Sequence, residues 1–337
     1  MKPEAPARPQ FEANGDTRVP GFTLPVSRLI SAEAAAFQRM RATMPSFDPM
    51  SADVDIATRR EQINAYAAQA LPRLQEFRVE IESRMIGGVE VLDFIPIGCH
   101  DPDRVLINLH GGAFCVGWDG IARLESIPIA ALAKMRIISV NYRMAPEHRH
   151  PAGVEDVAAV YAALLEDYAP GHIGIFGGSA GGNLAAQAAA WLPAHGLPQA
   201  GAVGILGAGG APFGWGESAW VTGYTDGSFP PPPPGASEAE DITKGYFDGW
   251  DMKDASISPA FHLDVLAKFP PTLILTGTRA LDMSPAIFTN SQLLKAGVRS
   301  TLVVGEGMGH CFHYQLNVPE GRDACDLIVR FFHENLA

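Results

Sequence analysis

The stretch IGIFGGSAGGNLA, residues 173–185, decides the fold. A short apolar run stops on Gly177-Gly178, a single serine follows, and the chain continues into an Ala-rich segment that reads as a helix. Gly177-Gly178-Ser179-Ala180-Gly181 is a G-x-S-x-G sequence set between a strand and a helix, the context in which that motif lifts a nucleophilic serine above a sheet. The glycines have a steric reason, because side chains two residues either side of a serine on so sharp a turn would strike the neighbouring strand and helix. The first N–H groups of the following helix can stabilise negative charge developing beside Ser179. A phosphate-binding loop or an ordinary tight turn is the competing reading. The flanking strand and helix favour the nucleophile.

Outward from this stretch, strands and helices alternate. Strands are expected at 104–110, 136–143, 172–179, 202–208, 272–277 and 300–307, with helices between them and a closing helix near the C-terminus. Two further strands, FRVEIESRMI and VEVLDFIPI, flank Gly87-Gly88, a hairpin signal. Short apolar strands without polar alternation suit a parallel sheet covered on both faces, and repeated alternation implies a doubly wound α/β architecture. The first 25 residues or so are polar and Pro-rich and expected to be irregular, and 27–76 read as two helices. The rhythm breaks at 211–258, where Phe213, Trp215, Trp220, Tyr224, Tyr246, Phe247 and Trp250 accompany a proline run from Pro230 to Pro234. An insertion this long inside a compact domain is usually functional. The expected organisation is N-terminal cap helices at 1–76, a core at 77–210 and 259–337, and a cap insertion at 211–258.

Composition bounds the function. The 337 residues carry 25 Lys+Arg against 37 Asp+Glu, a net charge of −12, without a basic run, which argues against nucleic acid as a partner. Cys99, Cys115, Cys311 and Cys325 are scattered, with no zinc-ligand spacing, and read as free thiols in a reducing compartment. The N-terminus lacks the apolar segment of a signal peptide, and no apolar run reaches the ~18 residues of a membrane span. A cytoplasmic protein is the expectation.

Three segments supply the remaining chemistry. In INLHGGAFCVG, two adjacent glycines, Gly111 and Gly112, let bare backbone approach a substrate, and their N–H groups with that of Ala180 are expected to form an oxyanion hole. In EGMGHCFHY, His310 follows the last strand in a Gly-rich loop, the place of a general base. His313 is the competitor, and Glu306 on the strand end reads as structural. In TLILTGTRALDMSPA, residues 272–286, Asp282 is the acid that keeps the chain order Ser179, Asp282, His310, with the next helix expected to begin at Ser284-Pro285. Two alternatives stay open: an acid from the insertion, of which Glu217 is the first, or a Ser–His dyad.

HGGA, NYRMAPEHRHPAGVEDV and GGSAGGNLA together resemble the hormone-sensitive-lipase-like esterases, the bacterial family IV of the α/β-hydrolases, over roughly residues 75 to 335. The resemblance implies an eight-stranded α/β-hydrolase core, a cap from N-terminal helices plus an insertion, and carboxylester hydrolysis without metal or cofactor. By match it makes Ser179 the nucleophile, His310 the base, and Gly111 and Gly112 oxyanion residues. It gives Glu147 of YRMAPEH a structural role between loops. The chain departs from the pattern at Ala113, where a third glycine is usual, at Gly178, where an aspartate often precedes the serine, and at Ala280, where the acid would align. The expected substrate is a small to medium acyl ester, with a homodimer left open. A lactonase, amidase or deacetylase on the same residues is the alternative, and a non-catalytic receptor would require a lost nucleophile or base.

Overall fold

Gly87 and Gly88, at φ 57° and 80°, make the turn that only glycine adopts freely, and they join β1 (Val79–Ile86) to β2 (Val89–Pro96) as an antiparallel hairpin. In the computed structural model, which describes residues 8–21, 23–43, 54–98, 100–223, 225 and 242–337, this hairpin is one edge of an eight-stranded sheet. Before it come α1 (Ala32–Met40) and α2 (Ile56–Ala70). After it the chain alternates through β3 (Asp101–Leu109), α3 (Gly120–Ala133), β4 (Met135–Val140), α4 (Ala152–Leu164), β5 (Ile173–Gly178), α5 (Ala180–Ala194) and β6 (Ala202–Leu206). The short helices α6 (Glu217–Val221) and α7 (Leu263–Leu266) interrupt the rhythm before β7 (Thr272–Gly277), α8 (Met283–Lys295), β8 (Ser300–Gly305) and α9 (Pro319–Asn335).

The strand order is β8-β7-β6-β5-β3-β4-β2-β1, with parallel pairing from β8 through to β4. Every residue of β5 and β7 is buried, which explains why these strands read as unbroken apolar or small runs rather than alternating ones. The chain winds outward from β5 to β8 on one side and places β3 and β4 on the other. The switch in direction therefore lies between β3 and β5, and in open α/β sheets ligands bind beyond the strand ends at such a point.

The N-terminal helices are tied to the core by specific bonds. Ser31 caps α1 by accepting the Ala34 N–H, and its own N–H and hydroxyl donate to Glu320 of α9 at 2.6 and 2.8 Å. Arg60 of α2 forks onto Glu147 with two 2.8 Å bonds and also reaches the Cys115 and Ala145 carbonyls. Arg60 thus ties α2 to the loops after β3 and β4, and its hydrogen bonds lower the Glu147 pKa to about 2.

Two expectations are corrected. The first 25 residues include a short ladder, Gln10–Phe11 on Thr17–Arg18, where irregular chain was expected. The helix after β7 begins at Met283, one residue earlier than Ser284, with Asp282 at the cap position. Ser284 does not cap it, because its Oγ accepts the Ser218 N–H across the fold. Cys99, Tyr224 and the proline run at 230–234 lie outside the described residues.

Candidate active site

The turn between β5 and α5 puts Ser179 at φ 56°, ψ −121°, a conformation L residues rarely take. Neighbouring chain enforces it. A Cβ on Gly177 or Gly181 would overlap the Leu109 carbonyl at the end of β3, so this turn can close against β3 only as G-x-S-x-G. The Ser179 N–H donates to the Leu206 carbonyl of β6 at 2.8 Å, and its carbonyl accepts from Asn183 at 3.1 Å.

Two loops converge on the serine hydroxyl. His310, in the loop after β8, has Nε2 2.8 Å from Ser179 Oγ and Nδ1 2.6 Å from Asp282 Oδ1. An ionised carboxylate only accepts, so Nδ1 carries the proton and the bare Nε2 lone pair faces the serine O–H. Asp282 is fully buried, and its second oxygen accepts from Thr276 Oγ1 of β7 at 2.5 Å. Burial disfavours the His310 cation, but the neighbouring Cys311 and then the hydrogen bond and charge of Asp282 oppose it, and the pKa is carried well above the ordinary histidine value. The Cys311 thiol lies 3.6 Å from Nε2, and burial pushes its own pKa up against the lowering effect of His310.

The alternative residues lie elsewhere. His313 is buried, neither ring nitrogen has a partner among the described residues, and burial lowers its pKa to about 3. Glu306 accepts from Ser27 Oγ at 2.7 Å near the surface. Glu217 is exposed at the start of α6. Ala280 is buried beneath α6, where its carbonyl accepts from Thr222 Oγ1 at 3.3 Å.

The loop after β3 lies over the serine, and it differs from expectation at one position. The Gly111 N–H is committed to Glu125 Oε1 at 3.0 Å and is not free for a ligand. The next two N–H groups, of Gly112 and Ala113, meet no protein acceptor among the described residues. Ala180 is the first residue of α5 and has no helical carbonyl one turn back. Gly112 at φ 130° and Ala113 at φ 50° turn the loop, and a Cβ on Gly112 would overlap the Val116 carbonyl. His110 stiffens the loop base. Its ring stacks on Tyr142 with centroids 4.4 Å apart, its Nδ1 donates to the Gly111 carbonyl at 2.9 Å, and burial lowers its pKa to about 4.

Sequence reasoning missed Glu125, Thr276, Ala113 and Tyr314. Glu125 sits under the site on α3, 1% exposed, and its carboxylate accepts from Asn108 Nδ2 at 2.7 Å, Gly111 N, Gly178 N at 3.3 Å and the Tyr314 hydroxyl. Burial raises its pKa to about 7 against those four hydrogen bonds. One signal was available: Glu125 is the lone acid on the stripe Ile121, Glu125, Ile129, where four-residue spacing makes a buried helix face.

A cavity of about 380 Å³ lies along α5 under the insertion; Ser179, His310 and Asp282 do not line it, and Phe213 stands between it and the His310 ring. Asn183 and Gln187, one and two turns along α5 from Ser179, form part of its wall, and Phe114, Phe213, Phe247 and Trp250 enclose it. Phe213 meets the His310 ring edge-on at 6.1 Å, and Phe114 stacks on Tyr246 at 4.6 Å, so insertion aromatics pack against the loop after β3. Among the described residues no cluster of three or more His, Cys, Asp or Glu side chains could hold a metal ion, and no helix is long and apolar enough to cross a membrane.

Comparison with known proteins gives a consistent picture. Residues 106–314 match the model of a family described as having the alpha/beta hydrolase fold. An acetyl-hydrolase of Streptomyces hygroscopicus is 30% identical over 236 residues, spanning 68% of this chain and 75% of its own. Carboxylesterase NlhH of Mycobacterium tuberculosis is 33% identical over 148 residues, 40% of this chain and 43% of that protein. Among solved structures, esterase E25 superposes with a TM-score of 0.80 at 27% identity, covering 95% of this chain and 99% of that one. An esterase from the bacterial hormone-sensitive lipase family superposes with a TM-score of 0.78 at 27% identity, covering 91% and 99%.

Proposed function

We propose a mechanism for a chain that belongs to the α/β-hydrolase fold family and, within it, to the hormone-sensitive-lipase-like esterases. It is a carboxylic ester hydrolase acting on small-molecule esters. Ser179 is the nucleophile, His310 the general base and Asp282 the acid that holds the imidazole in its working tautomer. The observation that carries this assignment is the unbroken chain of hydrogen bonds from Ser179 Oγ to His310 Nε2 at 2.8 Å and from Nδ1 to Asp282 at 2.6 Å.

His310 takes the serine proton as Oγ attacks the ester carbonyl. Asp282 stabilises the imidazolium without taking a proton itself. The carbonyl oxygen, now an oxyanion, receives the N–H groups of Gly112, Ala113 and Ala180, donors already in place before charge develops. His310 then protonates the leaving alcohol, which leaves an acyl group on Ser179. A water activated by the same nitrogen hydrolyses it.

The cap consists of 1–76 and 211–258, and the aromatic cavity that the insertion helps to line accepts the group next to the scissile bond. Its volume of about 380 Å³ suits small to medium acyl esters over long fatty chains. The protein works in the cytoplasm, and a homodimer is compatible with this arrangement.

Ser179→Ala tests the reading. Hydrolysis of p-nitrophenyl butyrate should fall by ~10³-fold or more with folding intact. Ordinary turnover by that variant would refute the mechanism.

A further inference from the structure

We infer that Glu125 is a positioning residue for this reaction, holding the oxyanion loop, the nucleophile turn and the base loop in mutual register. The inference rests on the esterase reading above and adds to it a residue that touches neither substrate nor Ser179.

Its partners come from four elements around the site. Asn108 lies near the end of β3, Gly111 in the loop above the serine, Gly178 immediately before the serine, and Tyr314 four residues after His310. Two of these donors are backbone N–H groups and can do nothing else. Asn108 is fixed as a third, because its Oδ1 accepts from the buried Ser139 hydroxyl at 2.7 Å, which turns its amide N–H₂ toward Glu125. The site is therefore built for an acceptor with two oxygens. None of these partners carries a positive charge, so the carboxylate is held by dipoles alone.

A buried acid without a counter-ion is a poor device for stability, since well-packed apolar groups do as well or better. Its value lies in where the donors are drawn. Taking the Gly111 N–H leaves Gly112 and Ala113 as the next available amides of the loop. A Cβ on Gly111 would stand 3.0 Å from the Gly178 carbonyl and 3.3 Å from Ser179 Cβ, so the two chains meet with no side chain between them. The loop and the turn are in contact there, and Glu125 bonds both at once. Through Tyr314 it also sets the loop that carries His310.

The geometry at Gly178 offers a direct test. A Cβ there would overlap the Tyr314 hydroxyl and stand 2.7 Å from Glu125 Oε1, so position 178 faces both groups. A carboxylate carried on position 178 can therefore occupy the space that Glu125→Ala empties once the Tyr314 side-chain tip turns aside to donate to it. Kinetics are read with p-nitrophenyl butyrate on the full chain, with a serine-directed phosphonate counting competent sites.

Glu125→Gln forces an amide N–H₂ against obligate donors and should lower kcat by ~10- to 100-fold, as small misplacements of reacting groups do, with KM changed less than about threefold. Glu125→Ala should lose at least as much. Glu125→Ala/Gly178→Asp should recover tenfold or more over Glu125→Ala, while Gly178→Asp alone, which sets two carboxylates together, should be impaired. Tyr314→Phe removes one bond of four and should cost about three- to tenfold in kcat. If the Glu125 variants are insoluble, Tyr314→Phe decides alone.

Wild-type kcat in folded Glu125→Gln, or in Tyr314→Phe, overturns the proposal, as does a folded double variant no better than Glu125→Ala. A wild-type protein that neither turns over the ester nor takes the phosphonate would sink the esterase reading, and this proposal with it. An active wild type beside unaffected variants would sink this proposal only.

Discussion

The turn that carries Ser179 and the turn that carries Asp282 end neighbouring parts of one sheet, yet they are held by different means. The serine turn is fixed by backbone. Its glycines lie against the Leu109 carbonyl, its N–H is bonded to Leu206, and its strained φ follows from contacts that admit no side chain. The acid turn has backbone bonds too, from the Thr278 and Arg279 N–H groups to the Gly305 and Met308 carbonyls, but its acid end is held by side chains. Thr276 bonds the carboxylate, Ser218 of α6 donates to the Leu281 carbonyl at 2.6 Å, and Ser218 Oγ accepts the Ser284 N–H at 2.9 Å. The first arrangement needs a particular local sequence. The second needs an acid that reaches His310, with its support supplied from a distance. The position of an acid can therefore drift by a residue or two where the position of the nucleophile cannot.

This contrast can be broken at several points. The largest effect belongs to the residue both turns share. His310→Ala should lower kcat by ~10³-fold or more, whereas His313→Ala, which alters a buried ring with no partner among the described residues, should act mainly on stability. The reverse result would put the base on the wrong histidine.

Asp282→Asn should keep the fold and cost on the order of 10²–10⁴ in kcat, because an amide favours the wrong imidazole tautomer. Glu217→Gln beside it should be close to wild type, and the opposite pair of results would move the acid into the insertion. The same variant has a pH signature. His310 works as a base when neutral, and Asp282 helps to hold its pKa well above the ordinary value. Wild-type activity should thus rise with pH along a limb above the ordinary histidine range, and Asp282→Asn should move what activity remains to lower pH. A limb that stays put would show that Asp282 does not govern the base.

Smaller effects sharpen the comparison. Thr276→Val removes one bond to the acid and should lower kcat about three- to tenfold with little change in KM. Ser218→Ala, one step further from the carboxylate, should lower thermal stability and change kcat less than Thr276→Val does. If Ser218→Ala were the more damaging to kcat, the clamp from α6 would matter more than the direct bond.

The same contrast explains what the sequence made legible. The serine turn, the β1–β2 hairpin and the alternation of buried strands with helices are written in short local patterns, since sterics and burial act on residues near in sequence. The acid could be found only by chain order. Its helix was expected to start at Ser284, because nothing local shows that Ser284 is engaged by Ser218, 66 residues away. The Gly111 expectation failed for a related reason. Adjacent glycines mark a backbone that can approach a substrate, but only the fold shows that Glu125 from α3 already holds the first amide. An acid on an apolar helix stripe is a weak sign without its partners.

The central claim is that the Ser179–His310 pair is the reacting unit. Covalent labelling tests it most directly: react the protein with diethyl p-nitrophenyl phosphate, and locate the adduct by peptide mass spectrometry in wild type and in His310→Ala. The account predicts a single adduct on Ser179 that forms rapidly in wild type and at least ~10²-fold more slowly without the base. An adduct on another residue, or labelling of Ser179 that is equally fast in His310→Ala, would contradict it.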